Sequence, residues 1–257
     1  MSDNPYELDT FQLDSKKIPD LTKKNVNFIE GILKIDSNYK RESEKTAPDE
    51  GFNPEVHYSS SKGKYCGAMN YWFEKIKEDK NFEKNILGAV IAVDSSNSTH
   101  LQVSKNGRME MKKRIVEKCK NYKEFSEKLN VPYDPNNKDH LLNYLLEPMD
   151  STKEGQKQIN LSFASKFFSY AAMAFNTEVQ YSRYDSVVAK NLPDYQKKYL
   201  NEPEGKKTYI ITDSKNDNRK EIYKKYCDTI QKILNNVNQE WLNKNTFDHL
   251  VWYTLKG

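Results

Sequence analysis

Apolar side chains recur at helical spacing along most of the chain after residue 64. The segment YCGAMNYWFEKIKED has the i, i+3, i+4, i+7 pattern of an amphipathic helix, at Met69, Trp72, Phe73 and Ile76. The segments MKKRIVEKCKNYKEFSEKL and HLLNYLLEPM predict two further helices, which end near residues 130–132 and at Pro148. A longer amphipathic helix is predicted from about Arg219 to Trp241.

A few segments depart from this pattern. The continuous apolar run Ile86–Val93 suits a buried strand and a buried helix equally well. Lys105-Asn106-Gly107 stands between alternating residues, which is typical of a β-hairpin turn. The segment TYIITD, Thr208–Asp213, suits a short strand or a loop. We therefore predict a mainly α fold with room for a small β element.

The first sixty residues differ from the rest of the chain. They mix Asp, Asn, Ser, Lys and Pro with little periodicity, except that Asn25–Ile35 predicts a short helix. We interpret residues 1–60 as an N-terminal extension packed on the body, and residues 61–257 as one helical domain. The sequence shows no internal repeat and no low-complexity tract.

The composition indicates a polar protein whose core is rich in aromatic rings. The 257 residues have a mean hydropathy of −0.94 and are 30% charged. Seventeen Tyr, eleven Phe and three Trp supply large areas for burial at low side-chain entropy cost. Only nine Gly are present, and neither GxGxxG nor GxxxxGK[ST] occurs. These absences argue against a nucleotide-binding α/β fold.

Cysteine usage and the N-terminal sequence favour a soluble, cytoplasmic protein with no membrane partner. The three cysteines are odd in number and far apart, which suits free thiols, at Cys66, Cys119 and Cys227. The opening MSDNPYELDT lacks the features of a signal peptide, and no apolar run approaches membrane-spanning length. The four histidines do not have metal-ligand spacing, so we predict no metal site and no cofactor.

Positive charge is concentrated in one part of the sequence. The formal net charge is only +4. The window 183–225 alone holds eleven basic and seven acidic side chains, an excess of four. Such a window attracts phosphate backbones, but a solvated, Lys-rich surface explains it equally well.

One charge interrupts the most apolar stretch, LSFASKFFSYAAMAF. On a helix, this residue, Lys166, lies one turn from Phe163 and from Tyr170. Removal from water favours the neutral form of an amine, and only the neutral form is a nucleophile. The alternative is a structural lysine whose stem covers the rings while its ammonium stays in water.

A carboxylate follows nineteen residues later, at Asp185 in YDSVVAKNLPDY. Its position predicts an N-cap whose side chain accepts backbone N–H bonds from a helix that ends before Pro193. A cap fixes the carboxylate rigidly, and hydrogen bonds to its charged form keep it ionised. Capping and catalysis are compatible roles for this residue.

The segment SFASKFFSYAA, together with the later segment YDSVVAKNLPDY, resembles the helix-hairpin-helix DNA glycosylase superfamily, in particular its bacterial 8-oxoguanine DNA glycosylase-like branch. The closing FDHLVWYTLKG is similar to the aromatic terminal helix of that branch, and the resemblance covers about residues 140–257. It implies a helix-hairpin-helix glycosylase-like fold that binds double-stranded DNA with a flipped modified base. It also implies glycosylase and AP lyase activity, with Lys166 as the Schiff-base nucleophile and Asp185 as its partner.

Further site residues follow from this resemblance. The base pocket is expected to use residues of the terminal helix, Phe247, Asp248 and Trp252, although the spacing of Phe247, Val251 and Leu255 suits a core face. DNA contacts are expected from Ser162, Ser165, Arg183 and Lys190. The family's hairpin presents glycines before the lysine, whereas residues 158–165 contain none. This departure concerns how phosphate is bound more than the catalytic pair.

Two other functions remain open from sequence alone. The first is a non-enzymatic nucleic-acid-binding protein on the same scaffold, for example in antiviral defence, in which Lys166 only contacts phosphate. The second is an α-helical interaction protein unrelated to nucleic acid, which would show no salt-dependent DNA binding. We assume a monomer in all three cases.

Overall fold

The computed structural model describes residues 8–35, 67–97, 99–211 and 218–255, and over these residues the protein is mainly helical. Within these ranges, four short strands form two antiparallel pairs, β1 (Thr10–Leu13) with β2 (Lys16–Pro19) and β3 (Met149–Asp150) with β4 (Lys157–Gln158). The helices are α1 (Lys23–Ile35), α2 (Gly67–Lys77), α3 (Phe82–Asn97), α4 (Gly107–Lys118), α5 (Tyr122–Leu129), α6 (Leu141–Leu145), α7 (Leu161–Phe175), α8 (Ser186–Leu200), α9 (Arg219–Val237) and α10 (Lys244–Leu255). The prediction of a mainly α fold is confirmed.

The described residues divide into two compact units. One unit contains residues 8–35, 182–211 and 221–255, and the other contains residues 67–97, 99–181 and 218–220. We call them the terminal unit and the central unit. This grouping differs from the predicted division into an extension and one helical domain, whose boundary near residue 60 lies outside the described residues.

The terminal unit begins with the β1–β2 hairpin, which sequence periodicity did not reveal. Asp14 adopts a left-handed conformation (φ 53°) in its turn. Phe11 of β1 packs edge-on against the ring of Tyr195 at 5.8 Å, and the Tyr195 hydroxyl donates to the carbonyl oxygen of Pro19. The predicted helix at Asn25–Ile35 is confirmed as α1, which packs on α10. N-terminal and C-terminal segments therefore share one core.

Helix α8 corrects the prediction that it ends before Pro193. It continues through Pro193 to Leu200, although proline provides no N–H for the helical ladder. Leu192, Pro193 and Tyr195 are all buried in the terminal unit. Burial of these apolar side chains explains why the helix tolerates one missing hydrogen bond.

Helix α7 lies at the centre of the central unit, where α2, α3, α5 and α6 pack around it. Phenylalanine rings supply much of this packing. Phe167 lies 5.8 Å from Phe73 of α2 and 6.2 Å from Phe125 of α5, measured between ring centroids. Phe168 packs edge-on against Tyr181 at 5.2 Å. The expectation of a ring-rich core is met here.

Local turn chemistry in the central unit differs from the prediction in two places. Asn106 is left-handed (φ 54°), but it precedes α4 and is not part of a hairpin, so the hairpin predicted at residues 105–107 is wrong. The small β element lies instead at β3–β4, and Ser104 bridges to Ser151 beside it.

The single helix predicted to end near residue 130 is two helices, α4 and α5. The second starts at a cap in which Asn121 Oδ1 accepts from the Glu124 N–H.

The sequence left the secondary structure of two segments open, and the structure assigns their described residues. The run Ile86–Val93 is helical, inside α3. Residues 208–211 form a turn and irregular backbone, not a strand, and residues 212–213 lie outside the described part of the chain. The long helix predicted from Arg219 is present as α9, but it ends at Val237.

Candidate functional site

Lys166 lies in the second turn of α7, inside the central unit. Its exposed fraction is 8%, although it is a lysine. Phe163, Phe167 and Tyr170 on the same helix are buried, and the rings of Phe163 and Phe167 stack at 5.6 Å. The residue as a whole is therefore largely removed from bulk water.

The chain enters α7 through the β3–β4 hairpin. Gly155 adopts φ +70° in the turn of this hairpin, a conformation that favours glycine. Asn160, directly before α7, donates from Nδ2 to Ser104 Oγ at 3.0 Å. The segment before Lys166 is thus tied to the turn before α4.

The two serines predicted to contact DNA lie in the first turns of α7. Ser165 is fully buried, and its hydroxyl donates to the carbonyl oxygen of Ser162 at 3.3 Å. Ser162 is partly exposed. Of the two, only Ser162 is accessible at the surface as the structure stands.

Asp185 is the N-cap of α8 in the terminal unit. Its Oδ1 accepts from the backbone N–H of Val187 at 2.8 Å, and its carbonyl oxygen accepts from Ala189 at 2.8 Å. The backbone of Asp185 is extended (φ −132°, ψ 139°), as a cap requires. The predicted capping role is confirmed, and the carboxylate is partly exposed.

Three tyrosines of the terminal unit hold the backbone directly before Asp185. Tyr223 donates to the carbonyl oxygen of Ser182 at 2.8 Å, and Tyr226 donates to that of Arg183 at 2.7 Å. Tyr184 donates to the carbonyl oxygen of Tyr209 at 2.9 Å. These hydrogen bonds fix the position from which the Asp185 carboxylate projects.

The charge of Asp185 also influences these tyrosines. Burial raises the pKa of Tyr226 well above its ordinary value, and the nearby carboxylates of Asp248 and Asp185 raise it further. Burial likewise raises the pKa of Tyr184, with a smaller contribution from Asp185. Both hydroxyls therefore remain protonated donors throughout the neutral pH range.

Arg183 lies inside the terminal unit with an exposed fraction of 4%. Its Nη1 lies 3.0 Å from His249 Nε2 and 3.4 Å from Asp248 Oδ2. Since a guanidinium can only donate, His249 Nε2 accepts, and His249 Nδ1 donates to Glu30 Oε1 at 2.6 Å. We call these four side chains the Arg183 network; they connect α1, α10 and the segment before Asp185.

Two of the predicted site residues belong to the Arg183 network and are buried. Arg183, expected to contact DNA, and Asp248, expected in the base pocket, are both buried and face each other. Sequence reasoning missed Glu30, because it lies 219 residues from His249 and no local pattern connects them.

The remaining predicted residues lie in different environments. Phe247 is fully buried, and its ring packs edge-on against Tyr195 at 5.5 Å, in agreement with the core face predicted from its spacing. Trp252 is partly buried beside Tyr253. Lys190 is exposed on α8. Phe247 therefore supports the fold, while Trp252 and Lys190 are at least partly accessible.

Much of the basic window at residues 183–225 is neutralised locally. Lys225 pairs with Glu204 at 2.6 Å, and Lys224 pairs with Asp228 at 2.5 Å. Lys197 lies 3.6 Å from Asp14. Arg183 and Arg219 are buried. The surface potential of this window is therefore weaker than its sequence charge suggests.

Other expectations concern metals, membranes and thiols. Within the described residues, no group of three or more His, Cys, Asp or Glu side chains is placed to hold a metal ion. In the same part of the chain, no helix combines the length and apolar character needed to cross a bilayer. Cys119 and Cys227 are free thiols, and Cys66 lies outside the described residues.

The two side chains that the sequence predicts as a catalytic pair lie in different units: Lys166 is a buried residue of α7 in the central unit, and Asp185 caps α8 in the terminal unit. An amine of this kind can attack an electrophilic carbon, and a fixed carboxylate can stabilise positive charge. Comparison of the chain with protein families, with curated proteins and with solved structures finds no significant match.

Proposed function

We propose that the protein is a DNA glycosylase with associated AP lyase activity, which excises a damaged or modified base such as 8-oxoguanine. Lys166 is the nucleophile and Asp185 its partner in this proposal. The observation that carries it is the burial of Lys166, whose exposed fraction is 8% in a helix of apolar and aromatic residues. In this proposal the Lys166 amine attacks in its neutral form, because only the neutral form of an amine is a nucleophile.

The proposed reaction starts with attack on the sugar. The Lys166 amine forms a bond to C1′, the C1′–N bond to the base breaks, and the base leaves with the electron pair and takes up a proton. The attached nitrogen loses a proton, and its lone pair forms the C1′=N bond. O4′ leaves C1′ with the bonding electrons and takes up a proton, so the sugar ring opens and a protonated Schiff base results. Loss of a proton from C2′ then expels the 3′ phosphate by β-elimination.

Asp185 would act on the positive charge in this sequence. Positive charge develops at C1′ and O4′ as the base departs, and a nearby carboxylate stabilises it. Such a carboxylate is most effective when its position is fixed in advance. Capping of α8 and the tyrosine hydrogen bonds to the carbonyl oxygens of Ser182 and Arg183 hold Asp185 in place within the terminal unit.

The substrate base must leave the duplex to reach such an amine. Extrusion of a nucleotide costs stacking and pairing energy, which is lower for a damaged base. The base would then be held by polar and aromatic side chains, for which Trp252 is the most accessible of the proposed pocket residues. A panel of single-lesion duplexes identifies which base is excised.

Reduction with borohydride tests the catalytic proposal. The protein is incubated with a labelled duplex that contains one 8-oxoguanine opposite cytosine, and with a second duplex that contains an abasic site. We expect a covalent protein–DNA adduct with both. Lys166→Gln should abolish it, whereas Lys123→Gln, which removes a lysine on the surface of α5, should leave it unchanged.

Two results would contradict the proposal. If the wild-type protein binds these duplexes and the full lesion panel but never cross-links, it is a nucleic-acid-binding protein without this chemistry. If it shows no salt-dependent binding to DNA, it is an interaction protein of another kind. Far-UV circular dichroism of the Lys166→Gln variant confirms that absence of the adduct is not loss of the fold.

A further inference from the structure

A cavity lies at the turn between α3 and α4 in the central unit. Its volume is about 690 Å³, and neither Lys166 nor Asp185 lines it. Its walls come from the end of α3, from the first turn of α4, and from Thr152 beside β3. The charged or apolar side chains that matter at this cavity are Asp94, Lys105, Arg108 and Met109.

Arg108 is held in place at this cavity by a buried carboxylate. Its Nε donates to Asp94 Oδ2 at 2.7 Å, and its Nη2 donates to Ser95 Oγ at 3.2 Å. The Asp94 side chain is almost fully buried, while that of Arg108 is 43% exposed. A guanidinium that is anchored on one side and open to solvent on the other is preorganised to bind phosphate.

The backbone around Arg108 is also fixed. Asp94 Oδ1 accepts from the hydroxyl of Thr99 at 2.7 Å and from the N–H of Leu101 at 3.1 Å. The N–H of Lys105 donates to the carbonyl oxygen of Asp150 at 2.7 Å, and that of Thr152 donates to Val103 at 2.9 Å. The cavity is therefore formed before any ligand binds, so little ordering free energy opposes binding.

The surface of this turn combines positive charge with exposed apolar area. Lys105 is exposed; the Asp150 carboxylate lies near enough to interact with its charge, but none of the ion pairs between described residues includes Lys105. Met109 is 53% exposed and Val103 is 40% exposed, and they belong to the few large apolar side chains that are exposed in the described part of the chain. Phosphate contacts and apolar contacts to sugars and bases require this combination.

We propose that this cavity is a DNA-binding surface, where Lys105 and Arg108 contact phosphates and Met109 contacts sugars or bases. The choice of DNA rests on the proposed function. The sequence places positive charge at residues 183–225, but in the structure much of that charge is paired or buried. The α3–α4 turn supplies an exposed lysine and an oriented arginine. In this proposal these two residues contact phosphate, whereas Arg183, which the sequence predicted to do so, is buried.

Binding measurements with an unreactive duplex test this surface. Fluorescence anisotropy of the full chain is recorded with a duplex that contains a tetrahydrofuran abasic analogue, which has no aldehyde and cannot form a Schiff base. We expect Lys105→Gln/Arg108→Gln to raise Kd about fivefold or more and to reduce the salt slope by about one for each phosphate that the variant no longer binds. The control is Lys80→Gln/Lys123→Gln, which removes the same charge from surface lysines outside the cavity.

A second variant covers the risk that replacement of Arg108 disturbs Asp94. Lys105→Gln/Met109→Ser leaves the Asp94–Arg108 pair intact, and it should also weaken binding by more than the control does. If the cavity variants and the control variant weaken DNA binding equally, the proposal that the cavity is a DNA-binding surface is wrong. So would unchanged DNA binding together with cavity-dependent binding to phosphatidylserine vesicles, which would show a membrane partner instead.

The two proposals fail in different ways. If borohydride trapping fails but the cavity variants still weaken DNA binding, the glycosylase proposal is wrong and the binding surface stands. If trapping succeeds and the cavity variants bind like the control, the binding surface is wrong and the glycosylase proposal stands.

Discussion

The Tyr226 hydroxyl donates a 2.7 Å hydrogen bond to the carbonyl oxygen of Arg183, two residues before Asp185. The same segment is held by the hydrogen bond from Tyr223 to Ser182 and by the Arg183 network, to which His249 and Glu30 belong. Since both tyrosines and both network partners belong to helices of one unit, the backbone before Asp185 is restrained from several directions. The position of the Asp185 carboxylate is therefore fixed within the terminal unit.

Replacement of Tyr226 tests this restraint. Tyr226→Phe removes one buried hydrogen bond, and we expect it to lower the free energy of unfolding by about 1 kcal/mol. In the proposed enzyme it should also slow borohydride trapping, because Asp185 is then less firmly positioned. Urea unfolding followed by circular dichroism and single-turnover trapping measure the two effects.

Tyr144→Phe is the matched control for that variant. The Tyr144 hydroxyl donates to Glu117 at 2.6 Å at the exposed surface of the central unit. Its removal should change stability by less than about 0.5 kcal/mol and should leave trapping unchanged. A Tyr226→Phe protein that is destabilised but traps DNA at the wild-type rate would show that Tyr226 has no positioning role.

Two substitutions at Asp185 separate capping from catalysis. Asparagine caps helices about as well as aspartate, so Asp185→Asn should keep stability within about 0.5 kcal/mol of wild type. Asp185→Ala removes the bond to Val187 and should cost about 1 kcal/mol. Both variants should lose most of the trapping rate if the negative charge is needed.

The alternative outcome at this residue is equally specific. If trapping follows stability, so that Asp185→Asn reacts like wild type and only Asp185→Ala is slow, the carboxylate is a cap and not a catalytic partner. Thermal unfolding of both variants, measured alongside the trapping rates, distinguishes the two cases.

The sequence predicted features that depend on neighbouring residues. The amphipathic pattern of α2, the apolar character of α7 and the N-cap at Asp185 were predicted because each signal lies within a few residues. Turn chemistry was less specific: a left-handed Asn before Gly can close a hairpin or precede a helix, and at Asn106 it precedes a helix. At Pro193, burial of neighbouring side chains outweighed the local rule.

Long-range features of the candidate site could not be predicted from sequence. Glu30 and His249 meet across 219 residues of chain, and nothing in either local segment indicates the partner. The same applies to the basic window, where Lys197 lies near Asp14 and Lys225 pairs with Glu204. Net charge can be read from a sequence, but the charge that remains unpaired at the surface depends on the fold.

We expect His140 to make the stability of the central unit depend on pH. Its Nδ1 accepts from the N–H of Leu142 at 3.1 Å, so it caps α6 in its neutral form. Its Nε2 donates to the carbonyl oxygen of Val131 at 3.1 Å. Burial lowers the pKa of His140 below its ordinary value of 6.5. A proton on Nδ1 would abolish the cap.

The direction of the pH effect follows from this lowered pKa. Below pH 6.5 the unfolded chain binds a proton at His140 that the folded chain does not, so stability falls as the pH drops from 6.5 toward the folded pKa. His140→Asn keeps a capping side chain but does not titrate. We expect the stability difference between wild type and His140→Asn to shrink between about pH 7.5 and about pH 5; a constant difference would contradict the prediction.

Two helical glycines are expected to respond to alanine in opposite directions. A Cβ at Gly107, the first residue of α4, would overlap the backbone carbonyl oxygen of Leu101, and backbone cannot move away cheaply. A Cβ at Gly31 in α1 would meet no atom within 4 Å. Gly107→Ala should therefore destabilise the protein by about 1–3 kcal/mol. Gly31→Ala should stabilise it by about 0.5–1 kcal/mol, because glycine has the greater freedom in the unfolded chain.

This pair of glycines also bears on the cavity at the α3–α4 turn. Gly107 lines it and directly precedes Arg108 and Met109, so a backbone shift at Gly107 would move both residues. Gly107→Ala should therefore weaken binding to the tetrahydrofuran duplex at temperatures where the variant is still folded, while Gly31→Ala should bind like wild type. Urea unfolding and anisotropy titrations at one temperature measure both. Normal DNA binding by a destabilised but folded Gly107→Ala protein would show that the shape of this turn does not matter for DNA.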